Sequence, residues 1–200
     1  MKRLRFFSWL VVAALSLIMV YLGFMTDRVH RQQATNGGGP VADFSLRDHQ
    51  GELVTSAKLR GSFLLVYFGY SFCPDVCPAA MDKLTLALEM LEADGVDTSP
   101  LIPVFITVDP ARDTAAELAK FRTLYHPRLI TLRGTEAELA AVAKTFGVYY
   151  KRVDAPDSSA GYLMEHLDVI FVMDRQGGYN QIFSSRDTPE TVAVKLGKLL

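Results

Sequence analysis

Sulfur nucleophiles are scarce in this chain. Of 200 residues, only Cys73 and Cys77 are cysteines. One even pair allows one bridge or one two-sulfur site, and nothing larger. An excess of charge is missing too: 21 Lys and Arg stand against 22 Asp and Glu, for a net charge of −1, with no basic stripe. Such a surface offers no path along a phosphate backbone, so nucleic acid is excluded as a partner. Internal repeats and low-complexity tracts are also absent, which excludes a repeat architecture.

One long hydrophobic run is present. Lys2, Arg3 and Arg5 precede an uncharged apolar segment from Phe6 to Met25, which as a helix spans roughly 30 Å, the thickness of a hydrocarbon core. A cleaved signal peptide would have a shorter apolar region ending in a small-x-small site. Tyr21-Leu22-Gly23-Phe24-Met25 offers none. Residues 1–25 are therefore expected to form an uncleaved N-terminal transmembrane anchor. Positive charge is denser before the span than after it, so the amino end should stay cytoplasmic and the rest should be exported. That topology puts a single pass in the inner (cytoplasmic) membrane and the C-terminal domain in the periplasm, or in the mitochondrial intermembrane space of a eukaryote. Residues 26–40 are polar and end in Asn36-Gly37-Gly38-Gly39-Pro40, a flexible tether. Residues 41–200 make one domain long enough to bury a core.

Within that domain, strands alternate with helices. Phe44-Ser45-Leu46 and Leu53-Val54 flank the turn Asp48-His49-Gln50-Gly51, a small leading hairpin. Phe63 to Phe68 reads as a buried strand, and Met81, Leu84, Leu88 and Leu91 keep helical spacing up to Ala93. Ile102 to Val108 is a second apolar strand, with Pro103 near its start, where a missing donor is tolerable. Thr114 with Glu117 and Thr135 with Glu138 are capping boxes that open helices. Val169 to Met173 and Tyr179 to Phe183 flank Arg175-Gln176-Gly177-Gly178, a hairpin signature. Thr188-Pro189 starts a last helix. This order predicts an α/β sandwich with a mixed sheet.

The cysteines lie between the Phe63 strand and the following helix, in Cys73-Pro74-Asp75-Val76-Cys77-Pro78. Helical residues four apart share a face, with Cβ atoms about 5–6 Å apart. That spacing suits a disulfide and equally two thiolates converging on one metal. Free N–H groups at a helix start favour the thiolate, which is both nucleophile and metal ligand. A purely structural bridge is disfavoured, because closing so short a loop removes little chain entropy. A two-thiolate site is soft and selects Cu(I) or Zn(II), but two sulfurs make a thin ligand set. Of the four histidines, His30 lies in the tether and His49 in a turn. His126 stands at an expected helix end, where an imidazole can meet the last carbonyls. His166 precedes the Val169 strand at the lip of the sheet, which makes it the candidate third ligand.

The run Tyr67-Phe68-Gly69-Tyr70-Ser71-Phe72-Cys73-Pro74-Asp75-Val76-Cys77-Pro78 closely resembles the signature of the SCO/SenC proteins, the copper-delivery factors of cytochrome c oxidase assembly. Phe44-x-Leu46-x-Asp48-x-x-Gly51 is similar to the family's opening, and Thr107 to Thr114 to its central motif. His126-Pro127-Arg128-Leu129 and Tyr162-Leu163-Met164-Glu165-His166 follow in the family's order. The resemblance implies a thioredoxin-like fold with helices flanking a mixed sheet and an extra N-terminal hairpin. It implies Cys73 and Cys77 as sulfur ligands and His166 as nitrogen ligand of copper, Cu(I) and also Cu(II). It further implies a membrane-anchored metallochaperone that takes copper from a donor protein. The copper would go to the CuA centre of cytochrome c oxidase, with the subunit carrying that centre as partner.

Two departures stand out. The family usually has Asp-His-Ser or Asp-His-Thr where this chain has Glu165-His166-Leu167, so a hydroxyl beside the histidine is gone. That loss bears on how the imidazole is oriented, not on which atoms bind. Arg133 departs from the family as well, with no chemistry attached. The alternative reading is an enzyme: a thiol–disulfide oxidoreductase that keeps the oxidase copper-site cysteines reduced, with Cys73 and Cys77 as its redox pair. Thioredoxin-type enzymes, however, separate their cysteines by two residues and place a cis-proline where His166 stands. A peroxidase site would want an arginine and a threonine beside Cys73, and neither flanks it. Asp109 and Arg112, after a strand and before a capped helix, read as turn residues that are structural or partner-facing.

Overall fold

The computed structural model describes Met19, residues 41–156 and residues 160–200. The span Phe6–Met25, apart from Met19, and the tether 26–40 lie outside the described residues. Among the described residues no helix is long and apolar enough to cross a membrane.

Among the described residues, nine strands and four α-helices follow in chain order: β1 Ser45–Asp48, β2 Leu53–Thr55, β3 Phe63–Gly69, α1 Val76–Ala93, β4 Leu101–Thr107, α2 Ala115–Arg122, β5 Ile130–Arg133, α3 Glu136–Phe146, β6 Tyr150–Asp154, β7 Tyr162–His166, β8 Val169–Met173, β9 Tyr179–Ser184 and α4 Pro189–Gly197. Seven strands form one sheet in the order β2-β1-β5-β4-β3-β8-β9, while β6 and β7 pair only with each other. β3, β4 and β5 run parallel. β1 joins β5 antiparallel, as β8 joins β3 and β9. The sheet is mixed, as expected.

Every residue of β3 is buried, because helices cover both faces of the sheet at its centre. On one face Phe146 of α3 stacks edge-on against Phe68 and Phe171. On the other, Phe121 of α2 lies 4.6 Å from Phe105, which is in register with Tyr67. Pro103 is in β4, a central strand, yet the pairing to β5 begins only at Val104. The proline thus sits where β4 has one neighbour, and its missing donor costs no bond to β5.

The caps are where the sequence places them. Thr114 accepts from the Glu117 N–H, Thr135 and Glu138 form a full capping box, and Gly147 ends α3 at φ 65°. Thr188 caps α4 ahead of Pro189. Three features differ from the sequence reading. Helix α1 starts at Val76, well before the apolar period begins at Met81. β5 and the β6–β7 hairpin are additional strands. Neither hairpin strand has a fully buried residue and both carry charge (Lys151, Arg152, Asp154, Glu165), so they lack the apolar density of a sheet strand. His126 is buried, with Nε2 3.2 Å from Glu92 Oε1; its partner is a carboxylate rather than the carbonyls of a helix end.

The loop that leaves β3 is tied down by Asp113, whose side chain is fully buried. Its carboxylate accepts from the Ser71 N–H, the Ser71 hydroxyl and the Thr107 hydroxyl. Burial raises the Asp113 pKa above its ordinary 3.8, more than these bonds lower it. A folded pKa above the unfolded one means that the native state takes up a proton first, so stability from this group grows as pH falls from neutral towards 3.8. In urea unfolding of wild type and Asp113→Asn at successive pH values, the wild type should gain on the variant as pH drops through that window.

Candidate metal centre

Strand β3 ends at Gly69, whose carbonyl accepts from the Val108 N–H at 2.8 Å. The chain then turns, with the Cys73 N–H donating to the Tyr70 carbonyl. Asp75, the residue before α1, makes no side-chain capping bond. The sulfur of Cys73 takes that place: the Cys77 N–H donates to Cys73 Sγ at 3.5 Å, a bond of the kind an N-cap side chain makes to the second helical residue. Pro78 is tolerated because first-turn N–H groups have no partner inside the helix. This local chemistry explains the early helix start, and it puts Cys77 on the inner face of the first turn. Both thiols are free and buried, Cys77 completely.

Electrostatics differentiate the pair. A hydrogen bond from the Cys77 thiol, with smaller help from backbone N–H groups, holds the Cys73 pKa well below the usual thiol range. The same bond, together with burial, pushes Cys77 up. One sulfur is therefore primed as a thiolate, and the other keeps its proton until something displaces it.

His166, the last residue of β7, brings its Nε2 to 3.3 Å from Cys77 Sγ. Its Nδ1 lies 3.3 Å from the Leu167 carbonyl. A carbonyl only accepts, so in the neutral ring that contact favours the proton on Nδ1, which makes Nε2 the nitrogen available to a metal beside the thiols. Two tyrosines hold the ring edge-on, Tyr67 and Tyr70, each with its centroid 5.9 Å away. Tyr67 in turn donates to Asp168 Oδ1 at 2.9 Å, and burial raises its pKa far above the usual phenol range. It therefore stays neutral and keeps donating. With Leu167 in place of a hydroxyl residue, the imidazole has the Leu167 backbone carbonyl and the Tyr67 and Tyr70 ring edges as its neighbours.

One ligand atom each from Cys73, Cys77 and His166 lie within 4.8 Å of one another, so the three can hold a metal ion. The two remaining described histidines do not join them: His49 is half-buried in its turn and His126 faces Glu92. Sulfur and imidazole donors with little carboxylate suit copper or zinc rather than magnesium or calcium. The sequence reading passed over Tyr67 and Tyr70, because aromatics in and after an apolar strand look like ordinary core. Only their polar tips, beside two thiols, carried a signal.

Residues 32–200 match the family described as SCO1/SenC. The chain belongs to that family. An SCO2-like protein of Rickettsia prowazekii (strain Madrid E) is 40% identical over 146 residues, covering 73% of this chain and 68% of that protein. Among solved structures, Arabidopsis thaliana ScoI with copper bound is similar, with a TM-score of 0.73 and 32% identity, over 80% of this chain and 98% of that one. Bradyrhizobium japonicum ScoI with copper bound reaches a TM-score of 0.70 and 36% identity, over 82% and 99% of the two chains. The thioredoxin-like α/β fold of the SCO1/SenC chain is the fold of these copper-bound relatives.

Gly69 lies where β3, α1 and β4 meet. A Cβ there would come 2.7 Å from Tyr67 Cε1, 2.9 Å from Cys77 Sγ and 3.1 Å from Phe105 Cε2. Gly69→Ala should therefore destabilise the domain by about 1–3 kcal/mol, read in thermal unfolding as a fall in Tm of roughly 5 °C.

Proposed function

We propose that this protein is a membrane-anchored copper metallochaperone. On this reading it binds copper through Cys73, Cys77 and His166 and delivers it to the CuA centre of cytochrome c oxidase during assembly. The observation that carries the reading is the convergence of two buried thiols and one imidazole lone pair at the end of β3, in a chain whose solved relatives hold copper.

Each residue has a distinct part. Cys73, already favoured as a thiolate, takes the incoming ion first. Cys77 gives up its proton as the ion approaches, since metal binding replaces the proton on a ligand thiol. His166 completes a three-coordinate set of soft and borderline donors, which suits Cu(I) and, with imidazole present, also Cu(II). The copper is cargo, so the site must release it as well as hold it. Cys73 is only 7% exposed, yet it lines an open groove of about 280 Å³ with Tyr70, Val76 and Leu163. An acceptor loop could reach the ion from there. Oxidation of the pair to a disulfide removes both sulfur ligands at once, so the redox state of the thiols gates loading. The apolar segment Phe6–Met25 would anchor the chain, and the polar tether would let the domain reach an oxidase subunit in the same membrane.

Copper titration of the reduced full-length chain should give roughly one equivalent per protein, with thiolate-to-copper charge-transfer absorption. Cys73→Ser, Cys77→Ser and His166→Ala should each weaken binding by more than about 100-fold, beyond the 10–100-fold typical of groups outside the ligand set. Unchanged affinity in His166→Ala would reject the three-ligand set and favour the thiol–disulfide oxidoreductase. In a cell lacking the protein, that enzyme would be rescued by His166→Ala but by neither cysteine variant.

A second test concerns the gate. After mild oxidation of the full-length chain, copper uptake should fall to background and return on reduction. Uptake that survives oxidation would overturn the gating role.

A further inference from the structure

His166 is carried by a hairpin that lies outside the main sheet and meets it only at its end, where β8 begins three residues on. β6 and β7 pair in register with each other alone, Tyr150 opposite His166 and Asp154 opposite Tyr162. The ladder that joins β8 to β3 fixes the chain from Val169 onward, three residues after His166, but it does not hold the rest of β7 against the cysteine loop. Met164 and Tyr150 of the hairpin pack on the core, but apolar packing is not directional. The Tyr67–Asp168 bond ties down the end next to β8, and a further directional contact must hold the other end of β7.

Arg112 supplies it. Its guanidinium carbon lies 3.6 Å from the ring centroid of Tyr162. Tyr162 is four residues before His166 and on the same face of β7. Nη1 of Arg112 donates to the carbonyls of Ala160 at 3.2 Å and Tyr162 at 3.0 Å, and Nε pairs with Asp109 Oδ2. The other oxygen of that carboxylate accepts from the Tyr162 hydroxyl at 2.9 Å. Asp109 is buried, just after β4, so the clamp is rooted in the main sheet. The same guanidinium stands 5.4 Å from the rings of Tyr70 and Phe72, the second of which directly precedes Cys73. Arg152 also stacks on Tyr162, at 3.8 Å, but it belongs to β6 and cannot tie the hairpin to anything else.

We propose that Arg112 is a positioning residue for the copper site, locking the strand that carries His166 to the loop that carries Cys73 without touching the metal. The proposal rests on the three-ligand reading above. It requires arginine in particular. A planar fork can stack on Tyr162 while donating to two carbonyls and a carboxylate, whereas a lysine ammonium keeps the charge but cannot stack in this way. A role that needed only positive charge beside Asp109 would be met by either residue.

The test uses the reduced full-length chain as wild type, Arg112→Lys, Tyr162→Leu and His166→Ala. Cu(II) is titrated with absorption and electron spin resonance, and amide hydrogen exchange is measured on the metal-free proteins. Arg112→Lys and Tyr162→Leu should each lose about 10–100-fold in copper affinity. Their copper spectra should move towards that of His166→Ala. Without metal, exchange should rise along β7 while α1 and β3 stay protected. Wild-type affinity, spectrum and exchange in Arg112→Lys would overturn the proposal. So would a rise in exchange spread evenly over β3, α1 and β7, since that marks a general loss of stability. If wild type and His166→Ala titrate alike, the three-ligand reading itself fails and takes this inference with it. If they differ while Arg112→Lys matches wild type, only the positioning role fails.

Discussion

The bond from the Cys77 N–H to the Cys73 sulfur organises everything around it. It starts α1 at Val76 in place of an aspartate cap, and so turns Cys77 inward instead of leaving it in a loop. Once Cys77 is inside, Gly69 must remain without a side chain, because no Cβ would fit between that sulfur and Tyr67. The same sulfur then meets His166. A helix cap, a close backbone approach and a thiol pair that could hold a metal are thus one arrangement, and a change at any of them is felt at the others.

Burial makes this arrangement chemically useful. Two buried thiols side by side cannot both ionise cheaply, because desolvation and mutual repulsion oppose a second charge. The structure resolves this by lowering one pKa at the expense of the other. A cation between them would remove that conflict, and sulfur donors favour a soft one. The surrounding tyrosines stay neutral, so they orient the imidazole without adding a competing negative charge.

The site is assembled from two separately held parts. The cysteine loop is fastened to the main sheet through Asp113, which collects bonds from Ser71 and Thr107. The histidine strand lies on a hairpin outside that sheet and is fastened through Arg112 and Asp109. Thr107, Asp109, Arg112 and Asp113 all belong to the end of β4 and the turn after it. One short segment therefore holds both halves of the site, which gives a physical reason for its polar residues to sit next to a buried apolar strand.

Much of this was legible in the chain itself. Local rules suffice for the buried β3, for the capped starts of α2, α3 and α4, and for the two thiols at a strand-to-helix turn, since each depends on residues within a few positions. His166 could be nominated from its place before β8. Three things were decided only in three dimensions. The start of α1 depends on a sulfur cap that no propensity describes. β6 and β7 are charged and half-exposed, so they become strands only by pairing with each other. Arg112 and Asp109 read as a turn until Tyr162, the first residue of the histidine strand and 50 residues beyond Arg112, stacks on the guanidinium and donates to Asp109. Sequence spacing determined which atoms could bind a metal. Long-range packing decided whether they meet, because the contacts that set their distance join segments that have no local reason to be close.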